Sequence, residues 1–276
     1  MPRIKTNKDI PDIQNDTSGF PNKALKKVGI RGVKVPLKIL RKDNSINIAS
    51  GEISIYTDLN KLVKGANMSR YRILIEEFLI GKDLNLRELV RSILPATKTK
   101  LGATNAYIKV KFDYYLIKEA PVSKLKSYMD YKCCLEGKLI NNQEKYYLTV
   151  IVPYTSCCIC SKHISDYGAH NQRSYGEVKV ELNDGNIIWI EDIIDIVEKS
   201  ASAPIINVLK RVDESYKTEL MYENAKFVED VVRDISTKLD DCLDKSILDY
   251  AVVCEHEESI HSHNCIAVIT AGRDLQ

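Results

Sequence analysis

Between Ile108 and Leu116 apolar residues alternate strictly with polar ones: Ile108, Val110, Phe112, Tyr114 and Leu116 against Lys109, Lys111, Asp113 and Tyr115. Successive strand side chains point to opposite faces, so a period of two fixes a strand with one face buried and one wet. Such strands belong to antiparallel sheets covered on one side only. What covers this one is legible just upstream, where Met68, Tyr71, Ile75 and Phe78 recur at helical spacing. Leu86–Leu94 continues as a second helix, expected to end near Pro95.

Further strands are expected over Val33–Leu40, Ile48–Tyr56 and Tyr131–Ile140, the last turning at Asn141-Asn142. The second half repeats the order. Tyr146–Val152 reads as a strand, and Val178, Val180 and Leu182 alternate before a turn at Asn183-Asp184-Gly185. Trp189, Ile190, Ile193, Ile194 and Val197 share one helical face, and Phe227, Val228, Val231, Val232, Ile235 and Leu239 share another. Ile247–Cys254 and Cys265–Thr270 close the chain as strands. The order ββααββ thus occurs twice, an α+β architecture of tandem modules with helices on one face of antiparallel sheets. The expected division is an N-terminal extension over 1–30 and modules over 31–140 and 141–276.

Composition removes several classes of function. A net charge of +2 on 276 residues gives no electrostatic case for nucleic acid or a membrane surface. The longest apolar runs fall short of a membrane span. Met1–Lys23 carries Asp9, Asp12 and Asp16 and has no apolar h-region, so no targeting segment is read and the cytoplasm is expected. The eight cysteines include the adjacent pairs Cys133-Cys134 and Cys157-Cys158, an awkward basis for a disulfide framework, so reduced thiols are expected. Cys242, Cys254 and Cys265 fall inside apolar patterns and read as small buried hydrophobes.

Chemistry concentrates between Thr155 and Ser174, which hold three of the eight cysteines and two of the five histidines. Cys158, Cys160 and His170 match no structural zinc spacing, but a thiolate and an imidazole can form part of an open metal site. The segment reads as a loop rich in donors and acceptors, and its Asn171-Gln172-Arg173-Ser174 run can bond a polar ligand. A second cluster comprises His256, Glu257, Glu258, His261 and His263; on extended backbone His261 and His263 would share a face, ready for proton transfer or a metal. Without a ligand it is a polar loop between strands. Glu214, Glu219, Glu223 and Glu229 read as a charged linker leading into a helix from about Ala225, although a buried member can grip the N–H edge of a purine. Lys162, Arg173, Lys210, Arg211 and Lys217 suit a phosphate, and no Walker or Rossmann glycine motif is present.

The segments Cys158-Ile159-Cys160-Ser161-Lys162 and Ile164-Ser165-Asp166-Tyr167-Gly168-Ala169-His170-Asn171-Gln172-Arg173-Ser174 closely resemble the signature of GTP cyclohydrolase type IB. The likeness runs nearly end to end. It takes in Asp12-Ile13-Gln14-Asn15, Lys27-Val28-Gly29-Ile30-Arg31-Gly32, Met68-Ser69-Arg70-Tyr71, Ser200-Ala201-Ser202, Leu209-Lys210-Arg211, Asp213-Glu214, Tyr222-Glu223-Asn224 and Phe227-Val228-Glu229-Asp230. The resemblance implies tandem tunnelling-fold (T-fold) modules in a homotetramer, with active sites at subunit interfaces. It implies conversion of GTP and water to 7,8-dihydroneopterin triphosphate and formate, the entry to folate and to 7-deazaguanine nucleosides. It also implies a divalent metal, Zn2+ or Mn2+, with Fe2+ in an archaeal branch that makes the 2′,3′-cyclic phosphate. Carried over, Cys158 and His170 are metal ligands, Cys160 is a substrate-facing thiol, and His261 and His263 are the catalytic pair. Spacing favours Glu214 at the metal and Glu229 at the guanine, with Glu219 and Glu223 between them. Lys162, Gln172 and Arg173 complete the expected substrate contacts.

The chain departs from the family pattern at Asn67, where many members carry histidine, and at Cys157, Ile159 and His163. Two other readings remain: a T-fold protein that binds a purine or pterin without turnover, and a structural zinc module, for which Cys158-x-Cys160 is the wrong spacing.

Overall fold

The computed structural model describes residues 23–83, 85–183 and 187–272. The expected Asp184-Gly185 turn, Asp12-Ile13-Gln14-Asn15 and most of the expected N-terminal extension lie outside the described residues. The elements run β1 (Leu25–Leu40), β2 (Ile46–Leu59), α1 (Met68–Leu79), α2 (Leu86–Leu101), β3 (Ala106–Glu119), β4 (Lys126–Ile140), β5 (Gln143–Cys157), α3 (Ile159–Ile164), β6 (Asn171–Leu182), α4 (Ile190–Ser200), β7 (Ala203–Pro204), α5 (Arg211–Glu223), α6 (Val228–Asp240), β8 (Ile247–His256) and β9 (Cys265–Thr270). Hydrogen-bonded neighbours follow the order β1-β2-β3-β4-β5-β6-β8-β9, with β7 on β5. Backbone contacts divide the chain into two compact units. The first comprises the chain to Lys38, Glu52–Val110 and Glu136–Lys145; the second comprises Ile39–Gly51, Lys111–Leu135 and the chain from Tyr146.

In the first unit α2 starts at a capping box, where Glu88 N–H donates to Asn85 Oδ1 and Asn85 N–H donates to Glu88 Oε2, both at 3.0 Å. The expected stop at Pro95 is corrected: the helix continues to Leu101 and ends at Gly102, whose φ is 62°. Proline forfeits one hydrogen bond, but Val90, Ile93, Leu94 and Thr97 are all fully buried, and that burial outweighs the loss. Gly137 on β4 lets the helix approach: a Cβ there would meet Leu94 Cδ1 at 2.7 Å and Val90 Cγ1 at 2.9 Å. Asn141 and Asn142 turn the chain with φ of 49° and 66°, the left-handed pair of a tight hairpin.

In the second unit β5, β6, β8 and β9 pair antiparallel, with a register shift at Glu181/Leu182. Its three longer helices start alike. Trp189 N–H donates to Asp192 at 3.1 Å, Lys210 N–H to Asp213 at 2.9 Å and Phe227 N–H to Asp230 at 3.1 Å. The stretch from Arg211 to Glu223, expected above as a linker, is helix α5, and α6 begins at Val228 rather than Ala225. The pattern hides α5 because Asp213 is its one buried residue. That carboxylate also accepts Val122 N–H and Ser123 N–H, both at 2.9 Å, and the Ser123 hydroxyl at 2.6 Å. Despite the opposing effect of burial, these donors hold its pKa well below the usual carboxylate range. All eight cysteines carry free thiols. Among the described residues no helix is long and apolar enough to cross a membrane.

Candidate active site

Antiparallel register builds the site. Tyr154 lies opposite Ser174, Ser156 opposite Gln172 and Cys157 opposite Asn171 on β5 and β6. The ladder then closes on one more rung, where Cys158 N–H donates to the His170 carbonyl at 3.1 Å. The two candidate ligands, twelve positions apart in sequence, are thereby brought together by strand pairing. The motif is largely regular structure rather than the expected loop: Cys157 ends β5, residues 159–164 form α3 and residues 171–174 open β6. Alternation beginning at Asn171 had concealed this, because the inward positions Gln172 and Ser174 are polar.

Cys158 is half-buried and caps α3, its Sγ accepting Ser161 N–H at 3.5 Å. The Ser161 hydroxyl donates to the Cys158 carbonyl and accepts His170 N–H, both at 3.2 Å, tying the two ends together. The His170 Nδ1 is 3.0 Å from Gln172 Oε1, 3.4 Å from Ser259 Oγ and 3.9 Å from Glu258 Oε2. An amide oxygen only accepts, so this orientation of Gln172 is matched by a proton on Nδ1. Gln172 Nε2 donates to Ser156 Oγ at 2.8 Å, and Ser156 meets Ser174 Oγ at 2.8 Å. Ser156 and Ser174 are fully buried.

The second polar cluster divides. His256 belongs to β8, between Ser174 on β6 and Cys265 on β9, and is 3 % exposed. Its Nε2 contacts the Tyr154 hydroxyl at 3.1 Å, and burial pushes its pKa down to about 4 against the opposing pull of Glu258 and Glu229. Burial, followed by the charge of Glu258 and a hydrogen bond to it, pushes the Cys265 thiol up. His261 and His263 are exposed on a bent loop, not extended backbone, with rings stacked at 5.3 Å and 15°.

The remaining expected residues are spread over neighbouring elements. Cys160 is exposed on α3, Arg173 on β6 and Glu229 in the first turn of α6. Lys162 Nζ donates to the Tyr222 carbonyl at 2.6 Å and sits 4.6 Å from the Tyr222 ring centre, so it caps the C-terminus of α5. Glu214 is exposed on α5, where its carbonyl accepts the Thr218 hydroxyl at 2.8 Å. Lys217 is turned inward onto the Pro204 carbonyl. In sequence Glu258 is one of five polar residues in its cluster, and Ser156 and Ser259 carry no pattern that sets them apart. Nothing local marks a serine as the partner of a histidine brought in by register.

The donor set fits a divalent metal. A half-buried thiol and an imidazole with no partner at Nε2 among the described residues are donors of the kind zinc takes, and the Nδ1 side is already supported. Among the described residues no group of three or more His, Cys, Asp and Glu converges to complete a cage.

The family model described as type I GTP cyclohydrolase FolE2 matches residues 10–267. GTP cyclohydrolase FolE2 of Thermosipho africanus is 42% identical over 250 residues, 91% of this chain and 94% of the relative. GTP cyclohydrolase FolE2 of Geobacter sp. (strain M21) is 39% identical over 267 residues, 96% of each chain. Among solved structures, uricase from Arthrobacter globiformis superposes with a TM-score of 0.54 at 7% identity, covering 91% of this chain and 95% of that one. A Bacillus sp. TB-90 urate oxidase variant gives 0.54 at 10% identity, covering 89% and 99%. At such identities these two show the shared tunnelling fold alone. The FolE2 matches settle the family: the chain belongs to the type I GTP cyclohydrolases of the FolE2 kind.

Proposed function

We propose that this chain is a metal-dependent type IB GTP cyclohydrolase, a hydrolase acting on cyclic amidines that converts GTP and water to 7,8-dihydroneopterin triphosphate and formate. The observation that carries the reading is the pairing of Cys158 with His170 on one rung, the imidazole held by Nδ1 and its Nε2 left free. Those two side chains would hold the metal, with Glu214 as the expected third ligand. A divalent metal held there would supply Lewis acidity for the hydrolytic opening of the purine ring at C8.

The protein's own groups account for the rest. The carboxylate of Glu229, at the N-terminus of α6, accepts the paired N–H edge of guanine. Exposed Arg173 faces phosphate, and Cys160 is a thiol within one helical turn of Cys158. His261 and His263, stacked and solvent-facing, move protons during formamide hydrolysis and ring closure. Glu258, 3.9 Å from His170, supplies negative charge beside the imidazole. Lys162 supports the site through α5, since its ammonium is committed to the Tyr222 carbonyl.

Assembly as a homotetramer is part of the proposal. The outer strand β9 presents Ile266 and Val268, 63% and 60% exposed, a surface suited to a further subunit. A neighbouring subunit would then bring remaining ligands, and the free thiols suit the reducing cytoplasm.

The test is incubation of protein loaded with zinc, manganese or anaerobic ferrous iron with GTP, reading formate and pterin fluorescence. Formate release from GTP is expected with at least one metal. No product with any of them would overturn the enzymatic assignment in favour of a purine-binding protein.

A further inference from the structure

The polar side chains beneath His170 form a line with no gap. Gln172 Oε1 is 3.0 Å from His170 Nδ1, Gln172 Nε2 is 2.8 Å from Ser156 Oγ, and Ser156 Oγ is 2.8 Å from Ser174 Oγ. Gln172 is 7% exposed and both serines are fully enclosed, so none of the three is placed to bind a ligand from solution. Enclosed polar groups are costly unless each has a partner, and here each one does. Strand pairing enforces the geometry: Ser156 faces Gln172, and Ser174 follows two residues along the same face of β6.

We propose that Gln172 is a positioning residue, not a substrate contact: anchored by Ser156 and Ser174, it holds His170 in the Nδ1–H tautomer and so presents Nε2 to a divalent metal. The proposal rests on the metal-dependent reading above. The direction of the amide is the crux. A serine hydroxyl can donate or accept and sets no direction by itself, whereas an oxygen aimed at Nδ1 permits only a proton on Nδ1. A neutral amide, unlike a carboxylate at the same place, fixes the ring without adding charge beside the metal. Glu258 is too distant at 3.9 Å to replace it as the direct partner.

Two substitutions separate this role from simple packing. Gln172→Leu keeps the bulk and removes the acceptor; Gln172→Glu keeps an acceptor toward His170 and lets the serine hydroxyls rotate to donate. In metal-free protein, 15N NMR of labelled histidine is expected to show His170 as Nδ1–H in the parent and in Q172E, and to shift toward Nε2–H in Q172L. Zinc affinity, measured by chelator competition, is expected to fall about 10–100-fold in Q172L and to stay within about threefold of the parent in Q172E. Ser156→Ala, which frees only the far end of the amide, is expected to cost about three- to tenfold. Should Q172L fail to fold, Q172E and Ser156→Ala carry the test. An unchanged tautomer and affinity in Q172L would overturn the proposal, as would equal losses in Q172E and Q172L, since the latter means that Gln172 donates to Nδ1. If the parent binds no zinc that Cys158→Ala removes, the metal reading fails instead, and the tautomer measurement still decides the role of Gln172.

Discussion

The two compact units share strands backed by helices, yet they enclose different kinds of polar group. Among the described residues the enclosed polar side chains of the first include Ser54, Thr57, Thr97 and the phenol of Tyr71, all hydroxyls. They are satisfied close to home: Thr97 donates to the Ile93 carbonyl at 2.7 Å, and Thr57 meets the Tyr71 hydroxyl at 2.6 Å. The second encloses Gln172, Glu181, Asp213, Asp249 and His256 as well as several serines. Enclosed amides and titratable groups need networks of partners, and such networks hold side chains in defined orientations. The first unit's interior therefore needs little beyond single hydroxyl bonds, while the second's holds an amide and several ionisable side chains in defined orientations.

The second unit's polar interior is most sensitive at Cys158 and His170. Alanine at either position is expected to lower GTP turnover more than a hundredfold, about the upper range for losing an outer-sphere partner, while the melting temperature of the metal-free protein changes little. Turnover that persisted would remove these residues from the metal.

Next in size is a dependence on pH. His256 titrates near 4 when folded and near 6.5 when free, so between those values the unfolded chain binds the extra proton. Stability should fall by about 3 kcal/mol as pH drops from 6.5 to 4, and be independent of His256 above 6.5. Denaturant unfolding of His256→Phe across this range checks it: a slope equal to the parent's would contradict the assignment.

The paired glycines sharpen the contrast. A Cβ on Gly176 would meet Val197 Cγ1 at 2.9 Å, much as one on Gly137 meets Val90. Alanine at each should cost about 1–3 kcal/mol by overpacking. Turnover per folded molecule is expected to hold in Gly137→Ala and to drop in Gly176→Ala, because Gly176 follows Ser174 by two residues. Equal effects on kcat would erase the distinction between the units. The smallest expected change is at Lys199, whose partner Asp195 is 2.7 Å away with both side chains more than half exposed. Lys199→Ala should shift stability by no more than about 0.5 kcal/mol.

Where one residue's neighbours in sequence decided the outcome, the sequence was legible. The alternation on β3, the Asn141-Asn142 turn and the helical face of α6 from Val228 to Leu239 are all local patterns, and the structure reproduces them; Phe227, expected on that face, instead caps the helix and is exposed. Pro95 misled because the weight on the other side of the balance, burial of Val90, Ile93 and Leu94, comes from packing. Helix α5 escaped because it is held by a carboxylate bonded to Val122 and Ser123, some ninety residues away. Inward-facing Gln172 and Ser174 hid the start of β6 by the same token, since periodicity detects apolar residues alone.

Residue identity by itself determined the family, the α+β order of elements and the presence of a thiol and an imidazole in one short motif. Only the tertiary structure decided that Cys158 and His170 share a rung, that Gln172 faces inward to Ser156, and that Glu258 and Ser259 reach the same imidazole. The physical reason is register: strand pairing fixes which distant side chains meet, and no local stretch of chain carries that information.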